Sequence, residues 1–151
     1  SRPDGQSISQ LRYEGYVQAL ESHGIPVDPE LVISTGGFGA KDAYRAVQEK
    51  MAENVDFTAL FAIADSMAIG AMRALMDAGR RIPEDCSVIA IDGLELSAYI
   101  EPPLTTLCQP MEEMGRRSAE ILLDMVRHKG SHACELLPTT LRQGRSVAAP
   151  R

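Results

Sequence analysis

Two aspartates, Asp65 and Asp92, each follow an apolar run, residues 58–64 and 87–91, and so stand where an extended segment would give way to a helix or loop. A pair of carboxylates can do acid–base chemistry, or can accept hydrogen bonds from the hydroxyls of a polar ligand. Catalysis would need a nucleophile or a metal beside them, and the sequence has neither a Gly-x-Ser-x-Gly elbow nor a His-Glu-x-x-His pair. The stretch Thr35-Gly36-Gly37-Phe38-Gly39 has the setting of a phosphate loop, but it lacks both the Gly-x-Gly-x-x-Gly spacing and a following Lys-Ser/Thr. His128 and His132 are four apart with Gly130 and Ser131 between them, which reads as a loop with solvated rings and not as a metal site. Cys86, Cys108 and Cys134 are odd in number and widely spaced, so they read as reduced thiols. Binding by hydroxyl acceptors is the simpler chemistry, and no catalytic residue, metal or cofactor is expected.

The elements that must position these carboxylates can be read from periodicity. Ser7-Ile8-Ser9-Gln10 has capping-box spacing and opens a helix whose Ile8, Leu11, Gly15, Tyr16, Ala19 and Leu20 share a face, ended by Gly24-Ile25-Pro26. Residues 31–34 form a short apolar, β-branched run, and Ala43, Val47 and Met51 mark the next helix. The unit repeats: residues 58–64 read as a strand, Asp65 or Ser66 can cap, residues 67–78 form a helix ending at Gly79, and residues 87–91 supply another strand. After a loop over 93–103 come a strand over 104–109, an amphipathic helix over 111–127, a last strand within 136–142 and a frayed tail over 146–151. Continuously apolar strands alternating with helices call for an α/β fold, a parallel sheet flanked by helices on both faces. Such sheets bind ligands at the carboxyl ends of their strands, where Asp65 and Asp92 fall.

A chain of 151 residues with 44% hydrophobic content can bury one core, and its net charge of −6 offers no basic face for a phosphate backbone. DNA binding by this segment is therefore not expected. The longest apolar runs are too short to cross a bilayer and the first ten residues show no signal pattern, so a cytoplasmic setting with no membrane contact is expected.

Four stretches together carry a resemblance. Residues 82–93 read Ile-Pro-Glu-Asp-Cys-Ser-Val-Ile-Ala-Ile-Asp-Gly, residues 102–109 read Pro-Pro-Leu-Thr-Thr-Leu-Cys-Gln, and they are preceded by Arg12-Tyr13-Glu14-Gly15-Tyr16 and by Ala64-Asp65-Ser66-Met67-Ala68-Ile69-Gly70-Ala71. In this order they resemble the LacI/GalR family of bacterial transcription repressors. The resemblance implies one lobe of a two-lobed, type I periplasmic-binding-protein-like fold, with residues 1–151 as the carboxy-terminal portion of the effector-binding domain. It also implies that a helix-turn-helix domain and a first lobe lie outside this segment, and that residues 103–128 correspond to elements of that other lobe.

Carried over by motif, Arg12 would clamp ligand hydroxyls or a carboxylate with its rigid fork of donors. Phe38 would stack on a sugar or base face, Asp92 would accept from ligand hydroxyls, and Gln109 would line the cleft. Asp65 would either join the site or merely cap its helix. Three positions depart from the family pattern: Ala64 stands for an asparagine, Ala90 for a glycine and Gly93 for a second aspartate. Loss of the asparagine amide implies an effector that is less polar or differently placed. Relatives pair through this lobe, and Leu94, Leu96, Tyr99 and Ile100 offer an apolar stretch for a homodimer. The function implied is an effector-binding regulatory domain of a repressor, with a sugar, sugar phosphate or nucleoside as effector and DNA contacted only through the helix-turn-helix. The rival is a periplasmic sugar-binding protein of a transport system, which would share this architecture.

Overall fold

The apolar runs before the two aspartates form adjacent strands. In the computed structural model, which describes residues 7–128 and 134–149, β1 (Ala59–Ala62) pairs in parallel with β2 (Ser87–Asp92), and β2 pairs in parallel with β3 (Thr105–Cys108). A short β4 (Thr140–Arg142) joins antiparallel to β3, giving the order β1-β2-β3-β4. The sheet is thus mostly parallel, with one antiparallel edge. Its centre is fully buried, with Val88, Ala90, Leu104 and Thr106 at 0% exposure, as expected for strands covered by helices.

Helix α2 (Ala40–Ala52) packs on helix α3 (Asp65–Asp77), which itself packs on β1 and β2, and together they bury Ala43, Val47, Ala68, Ala71, Met72 and Leu75. Their approach is close because Gly70 has no side chain: a Cβ there would lie 1.9 Å from the Ala40 carbonyl oxygen. Gly79, at φ +77°, follows the end of α3 in a conformation that favours glycine. Helix α1 (Ile8–Ser22) begins at Ser7, whose hydroxyl accepts from the Gln10 amide at 3.2 Å. Gln10 turns its own side chain to Glu14 and not back to Ser7, so half of the expected capping box forms. No residue of α1 is fully buried; the helix is held by Arg12 and by Tyr16, which stacks on Phe61 of β1 with ring centroids 6.3 Å apart.

Three expectations need correction. Residues 31–34 form no strand: Pro29–Leu31 is a 3-10 turn started by the Asp28 side chain, and the Val32 amide closes back on Pro29 and cannot serve a sheet ladder. The outer edge of β1 stays open beside a cavity of about 1090 Å3 lined by Tyr13, Tyr16, Leu20, Ile33 and Phe61. The expected last strand shrinks to three residues, Thr140–Arg142. The tail does not fray at 146: Ser146 is fully buried, donates to the Val88 carbonyl, accepts from the Thr105 amide and returns its own carbonyl to the Val88 amide. A serine that can donate and accept at once stitches two strands. The strand expected over 104–109 forms as Thr105–Cys108 and lies in this sheet between β2 and β4.

Helix α4 (Met111–His128) is different. It packs closely on none of the elements above, and Met111, Leu122, Leu123 and Val126 lie exposed along it. Of the two histidines expected in a loop, His128 ends α4, and His132 lies outside the described residues. Among the described residues no cluster of His, Cys, Asp and Glu could hold a metal ion, and no helix is long and apolar enough to cross a membrane.

Candidate functional site

Three of the expected residues meet at the carboxyl ends of the parallel strands. Asp92 is the last residue of β2, Gln109 follows β3, and Arg12 reaches in from α1. Arg12 donates through Nη2 to Asp92 Oδ1 at 3.2 Å and through Nη1 to the Ile63 carbonyl just past β1. Gln109 donates its side-chain amide to the same Oδ1 at 2.9 Å, and its backbone amide to the Asp92 carbonyl at 3.1 Å. The arginine and aspartate side chains are 14% and 27% exposed, so the pair is partly shielded from water yet open on one side. Both donors converge on Oδ1, two charge-assisted hydrogen bonds on one carboxylate oxygen.

Backbone strain marks the same place. Asp92 has φ +135°, a conformation that a side-chain-bearing residue rarely adopts and that costs about 1–3 kcal/mol. Gly93 follows at φ +81°, and a Cβ there would lie 2.6 Å from both the Cα and the Sγ of Cys108. Glycine in place of the family's second aspartate therefore suits this turn, where the chain passes directly over β3.

Asp65 points elsewhere. Its carboxylate is fully buried and accepts from the Leu94 amide at 2.8 Å, the Ser97 hydroxyl at 2.7 Å and the Thr106 hydroxyl, with Arg142 Nη2 4.0 Å away. A buried carboxylate survives only with such partners, and these occupy both oxygens. It does not cap α3 by its side chain either, because the N-cap is Ala64. Phe38 is half exposed on its loop, and its carbonyl accepts from Ser66 Oγ at 2.7 Å. The structure thus ties the Phe38 loop to the start of α3 but does not bring the ring into the Arg12–Asp92–Gln109 cluster.

Of the expected association residues, Leu94, Leu96 and Tyr99 are 43%, 63% and 78% exposed, while Ile100 turns inward and packs against the core. Sequence reasoning took Ser66 for a possible cap, where Ala64 is the N-cap, and missed Ser97 and Arg142. Each acts through a tertiary hydrogen bond spanning 28 residues or more, which no local spacing announces.

Residues 1–147 match the family described as periplasmic binding protein-like domain. The HTH-type transcriptional repressor CytR of Escherichia coli (strain K12) is 38% identical over 141 residues, 89% of this chain and 41% of that protein. A LacI-type transcription regulator from Bifidobacterium animalis subsp. lactis superposes with a TM-score of 0.90 at 28% identity, over 98% of this chain and 53% of that one. A transcriptional regulator CelR–cellobiose complex gives 0.81 at 35% identity, over 89% and 41%. The chain spans about two fifths of the length of the curated relatives it matches. It belongs to the periplasmic binding protein-like domain family, and the relatives it is similar to are transcription regulators, LacI-type among them.

Proposed function

We propose that this chain is the effector-binding portion of a LacI-type transcription repressor, a regulatory module and not an enzyme. The observation that carries the reading is Asp92: a carboxylate on strained backbone at a strand end, aligned by Arg12 and Gln109 and partly open to solvent. Strain held at a polar cluster on the carboxyl edge of a parallel sheet is what a preorganised ligand site would need. Asp92 would accept from vicinal hydroxyls, Arg12 and Gln109 would donate to them, and Phe38 would swing onto the apolar face of a sugar or base. Asp65 stands as a support of the site and not as a ligand contact, since internal donors already fill its oxygens.

The apolar side of α4, exposed here, would be covered by the first lobe that the resemblance places outside this segment. Lobe closure regulates only if the effector binds open and closed states with different affinity. DNA would be contacted by a helix-turn-helix outside this segment, and the protein would act in the cytoplasm as a homodimer through Leu94, Leu96 and Tyr99. The regulator names of the relatives favour this over a transport role.

A thermal-shift screen of the intact protein against glucose, cellobiose, ribose, glucose 6-phosphate and cytidine tests the reading. A ligand at 100 times its Kd should stabilise by about 2.7 kcal/mol. A flat melting temperature across hexoses, pentoses, sugar phosphates and nucleosides would overturn it.

A further inference from the structure

The stretch between the strained Asp92 and the exposed Leu96 and Tyr99 is short, and it is gripped from two sides. From one side Asp65, at the start of α3, accepts from the Leu94 amide and the Ser97 hydroxyl. From the other, Arg142 of β4 donates through Nη2 to the Leu94 carbonyl at 2.9 Å and to the Ser97 hydroxyl oxygen. Ser97 is fully buried although the residues on either side of it, Leu96 and Ala98, are not, and its carbonyl receives the Leu104 amide at 2.9 Å. Arg142 holds this place at a cost: its Nε is buried with no hydrogen-bond partner, a sacrifice that its charge beside the Asp65 carboxylate offsets.

We infer that Arg142 is a positioning residue: with Asp65 it clamps residues 94–97, so that Leu94, Leu96 and Tyr99 form a preset surface for a second copy of this chain. The self-association half of this inference rests on the function proposed above, whereas the clamp itself does not. The physical logic is entropic. A loop that is ordered before contact spends less free energy on ordering at contact, so a preset apolar patch associates more tightly than the same residues on a loose loop.

Arg142→Met keeps the length of the side chain and removes every donor. Amide hydrogen exchange and sedimentation equilibrium on the full chain then read two separate quantities. The clamp predicts that the Leu94 and Ser97 amides exchange at least tenfold faster while the β2 amides keep their protection, that the dimer Kd rises at least tenfold, and that Arg142→Lys recovers part of both. Ser97→Ala, which removes the hydroxyl shared by both sides, is expected to give the same pattern and serves if Arg142→Met does not fold. Unchanged exchange at Leu94 and Ser97, or faster exchange spread equally over β2, would overturn the clamp. A wild-type chain that stays monomeric while those two amides respond to Arg142→Met would uphold the clamp and overturn the association surface.

Discussion

Asp92 brings three separate features together: a positive φ, an ion pair to Arg12 and a shared oxygen with Gln109. Hydrogen bonds to charged groups contribute about 1.5–3 kcal/mol, so Arg12→Ala is expected to weaken effector binding by roughly tenfold or more while the circular dichroism spectrum stays that of the wild type. Titration calorimetry checks this, and wild-type affinity in the variant would remove Arg12 from the site. Cys86 gives a second test of a different kind. Burial pushes its thiol up to about 11 from an ordinary value of 9.0, so the folded chain keeps the proton that the unfolded chain gives up in alkali. The stabilising effect is complete below about pH 9 and is lost as the pH climbs from there toward 11. Urea unfolding at pH 8 and pH 10.5 should therefore show a smaller alkaline loss in Cys86→Ala than in the wild type; equal losses would contradict the buried-thiol account. At this scale the sequence was readable where a side chain sits at a strand end, as with Asp92, or in a recognised motif, as with Arg12 and Gln109. It was not readable for Asp65, because the end of a strand does not say whether the next side chain turns to the cleft or to the core. Nor was the grip of Ser146 on β2 and β3 visible in a tail that composition alone marks as loose.

Helices α2 and α3 were legible from their 3.6-residue periodicity, and β2 from its apolar run. Residues 31–34 misled because a β-branched apolar run is only half of a strand; the other half is a free backbone ladder, and here the turn at Pro29–Leu31 takes the Val32 amide. The close contact of α2 and α3 likewise depends on a fact that periodicity cannot carry, the absence of a Cβ at Gly70. Gly70→Ala is normally favourable within a helix, yet here it would drive a methyl group into the Ala40 carbonyl. Overpacking of this kind costs about 1–3 kcal/mol, so the variant should melt several degrees below the wild type. A melting temperature equal to or above the wild type would show that the two helices part without penalty. Helix α4 was placed correctly by sequence, and its lack of a partner within this sheet is a property of the tertiary arrangement alone.

For the whole molecule, charge and exposed surface set the expectations. With 15 basic against 21 acidic side chains, the chain offers little counterion release on a phosphate backbone, so it should show no saturable binding to DNA at physiological salt in a gel-shift assay. A discrete shifted band with the chain alone would contradict this. Leu96 and Tyr99 are the most exposed large apolar side chains of the loop after Asp92, and burying several hundred Å2 of such surface would gain about 25 cal/mol for each Å2 before the entropy of association is subtracted. At this scale the proposed role of the Arg12–Asp92–Gln109 cluster is to receive a polyhydroxylated effector. Calorimetric titration of the intact wild type and of Asp92→Ala with whichever sugar, sugar phosphate or nucleoside raises the melting temperature tests it most directly. The account predicts saturable binding to the wild type and an affinity at least about tenfold lower in Asp92→Ala, with the fold retained. Equal affinity in the two proteins would contradict it.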